Sequence, residues 1–432
     1  MNTALKDTAL SPSHTRIPLV IISVLSLIYF ANFFTPLRLT NDTVRYFNIK
    51  DWLEAGQPAG APAGNDFLPH GYVWFLMLLS QLQIAKPFFI AAFHFLYLIG
   101  ALWFVKRLLG SSFKFWHLAA LCLLNWVTLK FVITPLSEMQ FLFFSMGSLY
   151  FCDRSVTTKK AVHFVIALVF CIAAIITRTA GVVLLASFLI TFFLAKRRDI
   201  LNLARTSRLF IAGIIAGVVG VIILFHAFRV VSNVRDYAYY FEPFLKSPLS
   251  FIGNNIRNHL IDLSAISLNA PSSHLNFLGI PVLLLRLIYL VTGLLTLGWV
   301  FYLLFRRSNK VSLLIKVYLV CYTLLVLNWP FFEPRFWLPA VPLMMAVVLQ
   351  EQKLTNSFTK YFLSAYRLVY ILVGFTALGY YTYTSHNKKA LSVKQDAGVW
   401  KNEYETYFFG KPQTDTTAVI REPIMNILKK YQ

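Results

Sequence analysis

Long apolar runs set the tightest limit on the fold of this 432-residue chain. A helix that crosses a membrane needs about 20 mostly apolar residues, and about eleven segments approach that length. They are 17–34, 87–105, 115–133, 135–152, 161–177, 179–195, 209–228, 287–305, 311–330, 336–350 and 368–384. Charged residues make up 13% of the chain, about half the share found in soluble proteins. The sequence therefore predicts an all-α polytopic membrane protein with about 11 transmembrane helices, and it excludes a soluble enzyme, a disordered tail protein and a disulfide scaffold.

The distribution of Lys and Arg predicts the orientation in the membrane. With a cytoplasmic N-terminus and alternating spans, half of the 40 Lys and Arg residues fall in the inner connections. The acids there are Asp7, Asp153, Asp199 and Glu351. The net charge of +22 is thus mainly a topology signal, and membrane lipid, not nucleic acid, is the predicted partner. The predicted location is the plasma membrane, which in a bacterium is the inner membrane.

This orientation leaves three polar pieces on the outer side, namely the loops 35–86 and 229–286 and the tail 385–432. The predicted organisation is a transmembrane domain over 1–384, followed by a short extracytoplasmic tail. Two apolar stretches, 71–85 and 275–286, are too short to cross and are more typical of interfacial or re-entrant helices.

Asp42 is the first polar candidate, because it follows the first predicted span in the stretch Thr40-Asn41-Asp42-Thr43. A carboxylate at the membrane surface is suited to remove a proton from an acceptor hydroxyl. The alternative is that Asn41 or Asp42 is the N-cap of an amphipathic helix that runs through Trp52. The two interpretations are compatible, since a capped helix would hold the carboxylate in place.

Two further acids lie in predicted outer turns. Asp66 and His70 are spaced for an acid/base or ligand pair, or they are solvated residues of a Pro/Gly turn. Glu138 follows Pro135, which breaks the chain where a polar cavity would tolerate free backbone groups. The alternative for Glu138 is an ion pair with Lys130.

Two arginines complete the set of candidates. Arg178 lies in a tight turn between two predicted spans, where its partner is either a substrate anion or a lipid phosphate. Arg335 follows Glu333 among aromatic and proline residues, and the planar guanidinium group suits a phosphate. The alternative is a Glu333–Arg335 pair within an aromatic belt. Acids and arginines on one side fit a lipid phosphate as leaving group better than a proton-coupled transporter, whose acids lie at the midplane.

The order of five short motifs carries a family resemblance. They are Asn41-Asp42-Thr43-Val44-Arg45-Tyr46, Leu68-Pro69-His70-Gly71-Tyr72, Pro135-Leu136-Ser137-Glu138, Thr177-Arg178-Thr179-Ala180-Gly181 and Glu333-Pro334-Arg335-Phe336-Trp337-Leu338-Pro339. Together they resemble the C-fold glycosyltransferases (GT-C), specifically the bacterial relatives of protein O-mannosyltransferases and aminoarabinose transferases. The resemblance covers about residues 17–350. Thr179 and Phe336 depart from it, since they stand where those proteins have proline and tyrosine.

The resemblance implies a GT-C fold with amphipathic helices in the first outer loop. It implies inverting transfer of a sugar from a polyprenyl-phosphate donor to a hydroxyl of a lipid, glycan or protein on the extracytoplasmic face. Asp42 would be the general base, and Arg335 with Arg178 would stabilise the phosphate. Glu138 and His70 would line the sugar pocket.

Three rings remain open to two interpretations, since Tyr46, Tyr72 and Trp329 fit either sugar stacking or the lipid belt. No cofactor is expected. The first loop lacks an Asp-x-Asp pair, and Cys122, Cys152, Cys171 and Cys321 lie in apolar runs, where they resemble small hydrophobic residues rather than metal ligands. Competing functions are a transporter or flippase for a lipid-linked saccharide, a glycan ligase or polymerase of another fold, and a non-catalytic assembly subunit.

Overall fold

A computed structural model describes residues 13–58, 62–66, 68–110, 113–206, 239–271, 279–306, 311–350, 357–413 and 419–432. Within these ranges the regular structure is helical throughout. The helices are α1 (Ser13–Phe33), α2 (Asn41–Glu54), α3 (Gly71–Gln81), α4 (Pro87–Leu109), α5 (Phe115–Leu123), α6 (Trp126–Val132), α7 (Glu138–Thr158), α8 (Ala161–Thr177), α9 (Val182–Thr206), α10 (Glu242–Lys246), α11 (Pro248–Ser267), α12 (Val282–Phe305), α13 (Leu313–Asn328), α14 (Val341–Gln350), α15 (Ser357–His386), α16 (Lys388–Lys394), α17 (Lys401–Phe409) and α18 (Glu422–Tyr431).

Several of these helices have the length and composition of membrane spans. Among the described residues, α4, α12 and the part of α15 from Leu363 to His386 qualify individually, and α5 with α6 qualifies as a bent pair. Shorter apolar helices accompany them, including α8, α13 and α14. An all-helical protein suited to a membrane is therefore confirmed, whereas the number of about 11 spans stays a prediction. The predicted span 209–228 lies outside the described residues.

The predicted span 115–133 is not one straight helix, because α5 and α6 meet at an angle of 78°. Asn125 and Asn269 supply hydrogen bonds at this break. The Asn269 amide donates to the Leu124 carbonyl at 3.1 Å and accepts from the Trp126 amide nitrogen at 3.1 Å. The Asn125 amide donates to the carbonyl of Ile266 at 2.9 Å. These side chains satisfy backbone groups that a straight helix would have paired internally. The regular helix over 336–350 is also shorter than predicted, since α14 begins only at Val341.

Two of the three predicted outer pieces, the loop 35–86 and the tail 385–432, meet at one end of the helix bundle, which we call the polar end. It comprises α2, the start of α7, the turn between α8 and α9, the segment 329–340, and the chain after α15. One bond joins the first loop to the tail, from Arg38 to Gln395 at 3.0 Å, and another joins Tyr46 on α2 to Ser137 before α7 at 2.9 Å.

The tail after α15 is folded onto the first loop. Trp400, Tyr404 and Leu428 are buried, and the Tyr404 hydroxyl accepts from the Leu39 amide at 2.9 Å. Further along, a set of five residues closes the contact between α2 and α18. This tail clamp consists of Lys50, Asp51, Glu54, Lys430 and Tyr431. The tail is therefore part of the packed polar end.

Candidate functional site

The helix α2 begins one or two residues earlier than a cap at Asn41 or Asp42 would require. Thr40 is the N-cap, with its hydroxyl accepting from the amide of Thr43 at 3.2 Å. The prediction of an Asn41 or Asp42 cap is thus wrong by one or two positions, and Asp42 belongs to the first turn. Val44 and Phe47 are buried in the core. A capped and anchored helix holds the Asp42 carboxylate at the polar end.

Four candidates from separate parts of the chain meet in one ion cluster, which we call the site cluster: Asp42, Glu138, Arg178 and Arg335. Arg335 Nη2 lies 2.7 Å from Asp42 Oδ2, and Arg335 Nη1 lies 3.4 Å from Glu138 Oε1. Arg178 also pairs with Glu138 Oε1. Glu138 therefore bridges the two arginines, and the alternative of a Glu138–Lys130 pair is wrong.

Glu138 is the most buried member of the site cluster, with 1% of its side chain exposed. Its second oxygen, Oε2, has no hydrogen-bond partner among the described residues. Arg335 retains 14% exposure and Asp42 24%. The buried glutamate therefore positions the guanidinium groups, while Asp42 and the arginines remain open to a ligand.

The charges around Asp42 determine its proton affinity. Burial raises the pKa of the Asp42 carboxyl, but the guanidinium groups of Arg335 and Arg45 more than offset burial and hold the pKa below its ordinary value. Conversely, burial lowers the pKa of Arg335, and Glu333, Glu138 and Asp42 raise it by more. Asp42 is therefore an ionised carboxylate with low basicity.

Asp66 acts on the site cluster through Arg45. The Arg45 guanidinium grips both oxygens of the Asp66 carboxylate, at 2.8 and 2.7 Å, and reaches Asp42 Oδ1 at 3.2 Å. Asp66 also accepts from the amide of Leu68 at 2.9 Å. Asp66 is thus an ion-pair partner of Arg45, which neither of the two interpretations of this turn included. The sequence signal for Arg45 was its position three residues after Asp42 on a predicted helix, where opposite charges meet.

A cavity of about 150 Å³ opens beside the site cluster. Its polar wall holds Asp42, Arg45, Arg178 and Arg335. The rest of its lining is largely aromatic and comes from Tyr46, Tyr240, Tyr322, Trp329, Phe331 and Phe336. The cavity therefore joins cationic groups, one carboxylate and ring faces, which suits a ligand that carries both an anion and a polar ring.

The remaining candidates occupy different positions. Leu68 and Pro69 line the cavity, but His70 is not among the lining residues. Tyr72 is fully buried, with its hydroxyl 3.0 Å from His94 Nε2, and it does not reach the cavity. Tyr46 is also buried. The lipid-belt interpretation is wrong for Tyr46 and Tyr72, because both rings lie inside the protein.

Glu333 links the site cluster to a second polar group that the sequence did not indicate. Glu333 Oε2 lies 2.7 Å from Arg335 Nε, and its Oε1 lies 3.3 Å from Lys130. The Glu333–Arg335 pair, which was the alternative interpretation of this motif, is thus present in the structure. Beyond Glu333, the Oδ2 atom of Asp262 and Nδ1 of His259 face each other at 3.9 Å. Neither atom has a hydrogen-bond partner in the described part of the chain.

The surroundings of the Asp262–His259 pair favour its neutral form. Burial, with the nearby charge of Glu333, raises the pKa of Asp262 to about 8. His259 Nε2 lies 2.8 Å from the carbonyl of Trp329, and it donates there, so Nδ1 is left as an acceptor. A protonated Asp262 carboxyl has a hydroxyl donor, and it lies opposite the acceptor nitrogen Nδ1 of His259. The sequence alone could not reveal this pair, because the three-residue spacing of His259 and Asp262 is common in helices.

No protein-family model, curated protein or solved structure matches this chain. Within the residues that the structure describes, no group of three or more His, Cys, Asp and Glu side chains is arranged to hold a metal ion. The chemistry of the site cluster and its cavity is therefore the basis for assigning a function.

Proposed function

We propose that this protein is an integral-membrane glycosyltransferase of the GT-C type, which moves a sugar from a polyprenyl-phosphate donor to an acceptor hydroxyl on the extracytoplasmic face. The observation that carries the proposal is the 2.7 Å contact between Arg335 and Asp42. This contact puts a group suited to bind phosphate directly beside a group suited to accept a proton.

The Arg335–Asp42 ion pair also explains why transfer would require the bound sugar donor. When a donor phosphate binds Arg335 and Arg178, Asp42 no longer has an exclusive cationic partner. Its pKa then rises, and the carboxylate becomes a better base. The bound donor therefore activates Asp42 at the moment when the acceptor hydroxyl must lose its proton.

The transfer step balances with these residues. Asp42 takes the proton of the acceptor hydroxyl as the hydroxyl oxygen forms a bond to the anomeric carbon. The bond between that carbon and the phosphate oxygen breaks, with inversion, and its electron pair leaves with the phosphate. Arg335 and Arg178 stabilise the added charge on the phosphate, in an environment that burial makes less polar than water. Asp42 later releases its proton to solvent.

The decisive variant is Asp42→Asn. The amide keeps the shape of the side chain but cannot accept the proton, so sugar transfer should fall by about 10² to 10⁴. The measurement is transfer from a polyprenyl-phosphate sugar by the purified protein. Glu242→Gln, at an exposed acid of α10, is the matched control and should retain full transfer. Undiminished transfer by Asp42→Asn would remove Asp42 from the mechanism.

A panel of lipid-linked donors separates this function from its competitors. A glycosyltransferase of the proposed kind forms a new glycosidic bond with a monophosphate-linked monosaccharide. A ligase would require a pyrophosphate-linked oligosaccharide instead. A flippase would move the labelled lipid across a vesicle membrane without forming any product, which would contradict the proposal.

A further inference from the structure

A second cavity is an apolar groove that is separate from the site cavity. It has a volume of about 630 Å³, against about 150 Å³ for the site cavity, and the two share no lining residue. Its walls come from α5, α11, α12, α14 and α15. Leu263, Thr296, Val341 and Met345 are representative of its lining. A groove of this size is large enough for hydrocarbon chains.

This groove, which we call the lateral groove, opens toward the outside of the helix bundle. Leu295 and Trp299 on α12 line it and are 67% and 40% exposed. α12 is one of the helices suited to span a membrane, so these side chains would meet acyl chains. An empty apolar groove loses the dispersion contacts that a hydrocarbon chain would supply. The apolar lining of the groove is therefore suited to bind the acyl chains of lipids.

A cation lies at one end of the lateral groove. Arg367 on α15 lines the groove and is partly buried. In the described part of the chain, no carboxylate offsets the cost of burying its positive charge. The positive charges of Arg367 and Lys114 both act on the ring of His117. This end of the groove is therefore positively charged and lacks a described acidic partner, which favours an anion.

The length of α15 places this cation opposite the polar end. Ser385, near the end of α15, bonds to Arg38 at the polar end. Arg367 lies about five turns earlier on the same helix, or about 27 Å at a rise of 1.5 Å per residue. The hydrocarbon core of a bilayer is about 30 Å thick. Arg367 therefore matches the headgroup level of the leaflet opposite the site cluster.

We propose that the lateral groove binds an anionic phospholipid of that opposite leaflet. Its acyl chains fill the groove between α12 and α15, and its phosphate pairs with Arg367, in the positive field of Lys114. This site is independent of the proposed sugar transfer. The polyprenyl donor is a poor fit here, since its phosphate belongs at the site cluster, on the other side of the membrane.

The test uses the full-length protein in detergent, with phosphatidylglycerol as the probe and phosphatidylcholine of the same chains as the uncharged comparison. Phosphatidylglycerol should raise the thermal midpoint of the natural protein more than phosphatidylcholine does. Arg367→Gln should weaken phosphatidylglycerol binding about fivefold and remove that difference. Lys160→Gln, at an exposed lysine beside the start of α8, is the matched control and should keep it.

A second variant keeps the proposal open to refutation even if Arg367→Gln folds poorly. Thr296→Trp should fill the groove and reduce the stabilisation by both phospholipids. Equal stabilisation by the two lipids in the natural protein would overturn the proposal. So would an unchanged response of Arg367→Gln, or a groove that retains polyprenyl phosphate in preference to phosphatidylglycerol.

Discussion

Two ion clusters share the helix α2, and they differ in what closes them. The site cluster meets α2 at Asp42, in its first turn, and the tail clamp meets it at Lys50, two turns later. Lys50 is completely buried, and its ammonium contacts Glu54 at 2.7 Å and the Tyr431 hydroxyl at 2.8 Å. Asp42 keeps a quarter of its side chain exposed beside a cavity.

The difference shows how to separate a binding cluster from a structural one. In the tail clamp, protein groups enclose the ammonium of Lys50, so that no side of Lys50 is open to a ligand. In the site cluster, Arg335 and Arg178 share Glu138 and line a cavity. Ions that line a cavity can exchange a protein partner for a ligand, whereas a fully enclosed ion only stabilises the fold.

The largest effect on stability is expected from removing the carboxylate partners of the buried Lys50. In the double variant Asp51→Asn/Glu54→Gln, the buried ammonium loses both carboxylates, which should lower the free energy of unfolding by about 3–5 kcal/mol. Asp42→Asn should cost under about 1 kcal/mol, because Arg335 still has Glu138 and Glu333. Thermal unfolding can be followed by dye labelling of the buried Cys122 and Cys171.

A control at Glu422, an exposed acid in the first turn of α18, makes this comparison specific. Glu422→Gln should unfold like the natural protein. Equal losses of stability from the double variant and from Asp42→Asn would show that the two clusters have the same role, and the distinction would fail.

A pH-dependent effect of intermediate size is expected at Asp262, beyond the site cluster. Its pKa of about 8 in the folded protein lies above the ordinary value near 3.9. Between those values the folded protein keeps a proton that the unfolded chain releases, so the free energy of unfolding falls as pH rises. The slope is at most about 1.4 kcal/mol per pH unit.

Asp262→Asn should remove that slope, because the amide does not ionise. The difference in stability between Asp262→Asn and the natural protein should therefore grow from about pH 5 to pH 8 and level off above. The measurement is the thermal midpoint across this pH range. A constant difference would show that Asp262 is already ionised at neutral pH and that its pair with His259 is not neutral.

A small effect on stability, close to that of Asp42→Asn, is expected at the start of α2. Thr40→Ala removes the cap from the Thr43 amide and should cost about 1 kcal/mol, with fraying that displaces Asp42 more than Lys50. Transfer should therefore fall although the tail clamp stays closed. Thr40→Ser, which keeps the hydroxyl, is the matched control. If Thr40→Ala leaves transfer unchanged, Asp42 does not depend on the cap for its position.

Local patterns predicted the helices well and their ends less well. The span over 161–177 coincides with α8, because an apolar run bounded by Lys160 and Arg178 has only one helical interpretation. The break within 115–133 was not predicted, because a single Asn125 inside an apolar run is a weak local signal. Its hydrogen-bond partner Ile266 is 141 residues away, and no local pattern identifies such a partner.

The candidate site shows the same division. Residue type and position near predicted span ends were enough to select Asp42, Glu138, Arg178 and Arg335. Their partners were not predictable in the same way, because position in the sequence does not show which carboxylate lies nearest to Lys130. The structure pairs Lys130 with Glu333, and Glu138 with the two arginines. His70 and Tyr72 were selected on the same grounds, yet neither lines the cavity.

Composition and the spacing of apolar runs were sufficient to predict a helical membrane protein with its polar groups gathered at span ends. Both follow from the cost of placing charge or unpaired backbone in lipid, a cost that each segment meets separately. The choice of ion-pair partners, the bend after Leu123 and the docking of α18 on α2 arose only in the folded chain. Each depends on the distance between segments far apart in sequence, and electrostatic and hydrogen-bond energies change steeply with that distance.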